Sequence, residues 1–210
     1  FKPRRRRLSP SRQAALDEYG PQWLLDVAGE PLVFTRPTVL EIGIGGGEAL
    51  LAMAAADPDT DVIGVDVHTP GIAAVVQEIA AERRTNIRLV NGDVLEFAGR
   101  LPTGGLAGIR IFFPDPWPKP SQRWRRLVTA DHLARFVPML DVGGFLHLAT
   151  DIADYAEQMV GVCGAHPELV GGPIARPASR PSTRYERKGL EAGRTITDLW
   201  YARVDVGTTP

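Results

Sequence analysis

Cysteine is almost absent from this sequence: Cys163 is the single one in 210 residues. One thiol excludes an internal disulfide framework and a Cys-rich zinc site, and Cys163 reads as a small buried hydrophobe on a helix. Long apolar runs are missing too. The longest, residues 49–56, covers eight positions, far short of the roughly 20 that a membrane helix needs. No secretory apolar segment follows the N-terminus. The four histidines, His68, His132, His147 and His166, are scattered. No two of them have metal-ligand spacing, so each is expected to be structural and no metal is expected. These absences leave a soluble, cytoplasmic protein as the expectation. Phe1 in place of Met adds the expectation that the natural start lies upstream.

What is present is ordinary for a globular chain: 44% hydrophobic and 23% charged residues, in a length suited to about one domain. Glycine and proline together make up 40 positions, 22 and 18 respectively, and they cluster as structured turns would. The net charge of −1 hides segregation. Residues 2–12 carry six bases and no acid, which reads as a flexible basic arm over residues 1–12 ahead of a single domain over 13–210. Residues 41–115 carry eleven acids against five bases, residues 119–126 four bases and no acid, and residues 176–188 five bases against one acid. Basic blocks around an acidic centre suit a polyanion bound beside a site for a cationic group.

The hydrophobic pattern predicts strands over 38–43, 61–67, 86–90, 108–113, 144–150 and 196–204. It predicts helices over 48–56, 71–84, 130–140 and 152–163. Alternation of this kind points to an α/β fold with a doubly wound, mostly parallel sheet, and ligands in such sheets bind beyond the carboxyl ends of the strands. The unusual residues fall there. Glu41 to Gly47 follows the first strand, Asp66 closes the second and Asp93 follows the third. Pro114-Asp115-Pro116-Trp117 follows the fourth, and Thr150-Asp151 the fifth.

Gly43, Gly45, Gly46 and Gly47 let the backbone approach a ligand closely. A dinucleotide motif counted from Gly43 wants its third glycine at position 48, where Glu48 stands. A carboxylate there repels a pyrophosphate. With Glu41 ahead of the loop, the site favours a cationic ligand such as S-adenosylmethionine over NAD. Asp66 suits the ribose hydroxyls, and Asp93 suits the adenine amino group unless it caps a turn. The strongest segment is Phe112-Phe113-Pro114-Asp115-Pro116-Trp117-Pro118-Lys119. Its prolines fix a backbone that holds one carboxylate and one indole, and Lys119, Arg123, Arg125 and Arg126 follow. A plane, an acid and cations can take the base, the N–H edge and the phosphates of a nucleotide.

The segments V-L-E-I-G-I-G-G-G-E, G-V-D-V-H-T-P-G, F-F-P-D-P-W-P-K, A-T-D and R-P-A-S-R-P-S-T-R-Y-E-R-K-G, in that order, resemble the tRNA (guanine-N7-)-methyltransferases. The resemblance covers residues 10–204. It implies a seven-stranded Rossmann-like class I fold and methyl transfer from S-adenosylmethionine to N7 of guanosine at position 46 in the variable loop of tRNA. It implies that Glu41, Gly43, Gly45, Asp66, Asp93 and Asp115 line the donor pocket. Lys119, Asp151, Thr183, Arg184, Tyr185 and Glu186 would meet the substrate, and Asp115 and Asp151 would be catalytic. No obligatory protein partner and no membrane is implied; the chain would be a monomer or a homodimer. Two departures from the resemblance stand out: Pro118 and Pro120 bracket Lys119 where the family is often more basic or has histidine, and Ser121 and Gln122 replace residues that are commonly charged. Guanine N7 has a lone pair and no proton to lose, so no general base is required, and alignment with electrostatics is left to the protein. Two alternatives stay open. One is an adenine amino methyltransferase, whose D/N-P-P-Y/W turn the 114–117 segment resembles in shifted form. The other is an RNA-binding module with an inactive donor pocket.

Overall fold

The computed structural model describes residues 8–207. The expected basic arm lies outside the described residues as far as position 7. Its end is not an arm, because helix α1 (Pro10–Trp23) already begins at Pro10, with the Ser9 side chain accepting from the Arg12 amide. A hydroxyl at the N-cap and proline at the first helical position are a favoured helix start.

Seven strands form one sheet in the order β3 (Ile87–Asn91), β2 (Asp61–Asp66), β1 (Thr38–Ile42), β4 (Leu106–Phe112), β5 (Leu140–Thr150), β7 (Thr197–Arg203), β6 (Leu169–Ile174). The chain divides into two compact units, Phe1–Pro102 and Thr103–Pro210.

In the first unit, β1 (Thr38–Ile42), β2 (Asp61–Asp66) and β3 (Ile87–Asn91) pair in parallel. Helices α2 (Glu48–Ala56) and α3 (Thr69–Ala81) make the crossovers, as parallel pairing demands. All five positions of β1 are buried, as in a strand covered on both faces, and Glu41 is the one acid among them. Trp23, Leu50, Ile72, Val75, Val76, Ile79, Ile87 and Leu89 share one core. The Trp23 indole N–H donates to the Arg84 carbonyl at 3.0 Å, so its one polar atom is satisfied. A short helix, α4 (Val94–Phe97), follows β3 and is too brief for periodicity to reveal.

In the second unit, β4 (Leu106–Phe112) and β5 (Leu140–Thr150) are parallel, and β7 (Thr197–Arg203) runs antiparallel to both β5 and β6 (Leu169–Ile174). Helices α5 (Ala130–Phe136), α6 (Ala153–Gly164) and α7 (Arg184–Glu191) complete it. Strand β6, with its Gly171-Gly172-Pro173 stretch, and the polar helix α7 carry too weak an apolar pattern to be predicted. Cys163 is fully buried on α6. Among the described residues no helix is long and apolar enough to cross a membrane.

Candidate functional site

The first unit gathers its predicted residues at the carboxyl ends of its strands, chiefly by backbone geometry. Gly43, Gly45 and Gly47 have φ of 81°, 56° and 82°, left-handed values that side chains with a Cβ resist. The Gly43 amide donates to the Val65 carbonyl at 2.8 Å, which ties the loop to β2. The Asp66 carboxylate does the rest. One oxygen accepts from the Gly45 amide and the other from the His68 amide, both at 2.7 Å. Asp66 therefore clamps the glycine loop from the end of β2. A Cβ built on Gly43 or Gly46 would meet nothing within 4 Å. Both glycines are exposed, so an open cradle lies over the loop. Asp93 caps α4, accepting from the Leu95 amide at 2.9 Å. The cap and the ligand roles weighed for it in the sequence are compatible, since a carboxylate has several acceptor sites. Glu41 is buried at the end of β1.

In the second unit, side-chain ion pairs hold two of the predicted residues, Asp151 and Glu186. Phe113 and Trp117, which bracket Pro114-Asp115-Pro116, have φ of 51° and 42°. Non-glycine residues there store strain that the surroundings must hold. Arg126 supplies part of the hold. It donates to the Pro116 carbonyl at 2.8 Å, to Gln158 at 2.8 Å and to Asp154 at 2.7 Å, and its guanidinium lies 4.5 Å from the centre of the Tyr155 ring. Arg126 is 1% exposed. The expectation that it meets phosphate is therefore corrected: a guanidinium this deeply buried and fully engaged serves the scaffold. Its hydrogen bond, ahead of the charges of Arg126 and Arg123 and against a burial cost, holds Asp154 below the ordinary carboxylate range. Arg123 also pairs with Asp154, at 2.8 Å. Arg125 covers the Trp117 ring with its guanidinium at 3.8 Å. Lys119 and Asp115 are exposed.

Asp151, just past β5, accepts from Arg194 Nε at 2.8 Å. A Cβ on Gly189 of α7 would stand 2.9 Å from Asp151 Oδ2, so glycine is what lets α7 approach the carboxylate. Thr183 caps α7 by accepting from the Glu186 amide at 3.3 Å. Glu186 was expected at the substrate. Instead its carboxylate is buried and taken by cations: Arg180 reaches both oxygens at 2.9 and 3.0 Å, and Arg176 donates to it at 2.7 Å. Arg180 also holds Asp198 through two bonds of 2.7 and 2.9 Å, and Asp198 meets His147 Nε2 at 2.9 Å. Burial pushes the carboxyls of Glu186 and Asp198 upward. The hydrogen bonds and charges of Arg180, with Arg176 on the one and His147 on the other, outweigh it and hold both below their ordinary range. Above this network, Arg180 lies 5.8 Å from the Phe112 ring and 5.6 Å from that of Phe113. One guanidinium thus joins the Phe-Phe-Pro-Asp-Pro-Trp turn, the segment leading into α7 and strand β7. Arg184 and Tyr185 remain exposed on α7.

A family model described as "Putative methyltransferase" (Methyltransf_4) matches residues 35–199. A tRNA (guanine-N(7)-)-methyltransferase from Streptomyces avermitilis is 43% identical over 97% of this chain and 74% of its own length. One from Alkalilimnicola ehrlichii is 40% identical over 97% and 91%. The chain belongs to the tRNA (guanine-N(7)-)-methyltransferases. An rRNA methylase from Streptococcus thermophilus superposes with a TM-score of 0.55 at 12% identity, over 81% of this chain and 88% of the other. Phosphoethanolamine N-methyltransferase 2 from Haemonchus contortus, in complex with S-adenosyl-L-methionine, gives 0.54 at 12% identity, over 92% and 52%. These likenesses establish the methyltransferase fold.

Sequence reasoning for this family member missed Arg180, Asp198, Arg194 and Trp124. Asp198 and Arg194 act through His147 and Asp151, distant along the chain, and Arg180 joins Glu186 to Asp198, a pairing that spacing cannot reveal. Trp124 was legible as an indole inside a basic run. The expectation of a structural His147 holds: it is buried against Asp198, with its ring centre 4.8 Å from that of Phe112.

Proposed function

We propose that this chain transfers the methyl group of S-adenosylmethionine to N7 of guanosine in tRNA, at position 46 in the variable loop. When bound, the donor supplies an electrophilic methyl group on a cationic sulfur. In this reading the open cradle over Gly43 and Gly46 takes it. Asp66 offers the ribose hydroxyls the lone pairs that the Gly45 and His68 amides leave. Glu41, Gly45, Asp93 and Asp115 are assigned to the same donor, the carboxylates favouring its positive charge.

The guanine edge is assigned to Asp115 or Asp151. A carboxylate accepts from the N1–H and N2–H₂ edge, which adenine does not present. It also offsets the positive charge that the purine gains. Arg194 and the approach of α7 at Gly189 hold Asp151 in one orientation. Lys119, Arg184 and Tyr185 are assigned to the tRNA around the base. Thr183 and Glu186 fix the start of α7 and position those two. The observation that carries the reading is this convergence in the second unit: Arg180 under Phe112 and Phe113, and Gly189 against Asp151, bring together the segments most specific to the family.

Incubation with bulk tRNA and labelled donor, followed by mapping of the modified base, tests it. 7-Methylguanosine at position 46 is expected; methyl on an adenine amino group overturns the reading, and so does the lack of any transfer. Asp151→Ala is expected to lower turnover about 10²–10³-fold, as for the loss of one preorganised charge-stabilising group, while calorimetric binding of S-adenosylmethionine persists. Wild-type turnover by that variant removes Asp151 from the chemistry.

A further inference from the structure

Trp124 is 78% exposed. It sits in the 3-10 turn Pro120–Arg125, and residues 119–126 hold Lys119, Arg123, Arg125 and Arg126 without an acid. A large indole left in water is an unusual use of an aromatic side chain, and its setting says what covers it. The turn is stiff. Pro118 and Pro120 fix its entry. Arg126 anchors its exit through the Pro116 carbonyl, Gln158 and Asp154, and Arg123 is tied to Asp154. Arg125 is folded over Trp117 at 3.8 Å and stands 5.8 Å from the Trp124 ring, so a cation flanks the exposed plane.

A rigidly presented aromatic face beside fixed cations matches one chemistry, an unpaired nucleobase stacked on the ring with its phosphate toward the guanidinium. We infer that Trp124 is a stacking platform for an unpaired nucleotide of the tRNA substrate, adjoining the nucleotide that is methylated. The inference rests on the tRNA reading above and adds a contact to it. With Arg126 buried and Arg123 sharing Asp154, the exposed Lys119 and the half-buried Arg125, which flanks the ring, are the charges that favour a polyanion over an apolar protein face.

Trp124→Ala and Trp124→Tyr, made in the full chain, test this by tRNA binding and by methylation kinetics. The alanine variant is expected to raise the Kd and KM for tRNA about tenfold, the scale of one lost base–aromatic stack. The tyrosine variant restores most of the affinity. The Kd for S-adenosylmethionine and the melting temperature should not move. A single-stranded oligonucleotide should lose affinity for the alanine variant while a blunt duplex of equal length does not. The slope of binding against salt should be unchanged, whereas Arg125→Gln lowers it by about one. Equal tRNA affinity for wild type and Trp124→Ala overturns the inference, as does equal loss on single strand and duplex. A change in oligomeric state with tRNA affinity intact overturns it too, by making the patch a self-association surface. A wild-type chain that methylates no tRNA overturns the proposed function instead, so the two failures are distinguishable.

Discussion

The two units hold their site residues by opposite means. The first uses the main chain: left-handed glycines, a carboxylate bonded to two loop amides, and strands whose ends are already aligned by parallel pairing. The second uses charge. Arg180, Glu186 and Asp198 are each at most 2% exposed, and they link segments that the chain separates. Backbone cradles are local and tolerate changes in the side chains around them. Buried ion networks are global and fail when one member is removed, because the remaining charges stay in low dielectric without a partner.

Arg180→Ala tests the contrast hardest. It leaves Glu186 with Arg176 alone and Asp198 with His147 alone, both buried. The expected loss of stability is about 3–5 kcal/mol, the usual scale for breaking a buried ion pair from one side. Chemical denaturation followed by circular dichroism measures it. Amide exchange should place the loosening in β7 and α7 and spare β1 to β3. A loss below about 1 kcal/mol would mean that surface-like pairs do the same work.

Gly71→Ala is the matching break in the first unit. A Cβ there would lie 2.0 Å from the Gly45 carbonyl oxygen, so the glycine loop itself must move. An expected cost of about 1–3 kcal/mol follows from forcing backbone to shift around an added methyl. The Gly45–Asp66 bond should be lost with it, and donor affinity should fall more than tRNA affinity. Gly46→Ala is the control for space alone, since nothing stands within 4 Å and its φ is not left-handed. Its stability should stay near wild type, while calorimetry detects any crowding of the donor.

The same contrast explains what the sequence disclosed. Helix α2 and the three strands of the first unit were predicted within about two residues, because buried parallel strands leave apolar runs bounded by glycine and polar turns. Asp66 was singled out as an acid at a strand end beside a glycine loop, and the structure shows it bonded to the Gly45 and His68 amides. The burial of Glu186 was not foreseen, nor that of Arg126. A charged residue in a basic or polar run looks solvated, and only the fold shows that Arg176 and Arg180 close on Glu186 and that Asp154 and Gln158 come from farther along the chain to Arg126. Strand β6 escaped because it is an edge strand, with only Leu169 buried among its six residues, so no apolar alternation marks it.

Acid sharpens the comparison most gently. Glu186 and Asp198 are held below their ordinary range when folded, so the folded second unit binds fewer protons than its unfolded chain. The stability this supplies is fully present above the unfolded carboxyl values, about pH 4. It is lost as pH falls through the depressed folded values. Lowering the pH from 6 to 3 should therefore speed amide exchange in β7 and the start of α7 beyond the intrinsic change. The effect should be smaller than that of Arg180→Ala, since protonation leaves the side chains in place as hydrogen-bonding groups. Glu186→Gln should flatten the slope by removing one of the two titrating groups. A slope that Glu186→Gln leaves untouched would assign the acid sensitivity to other carboxylates and separate Glu186 from the stability of this network.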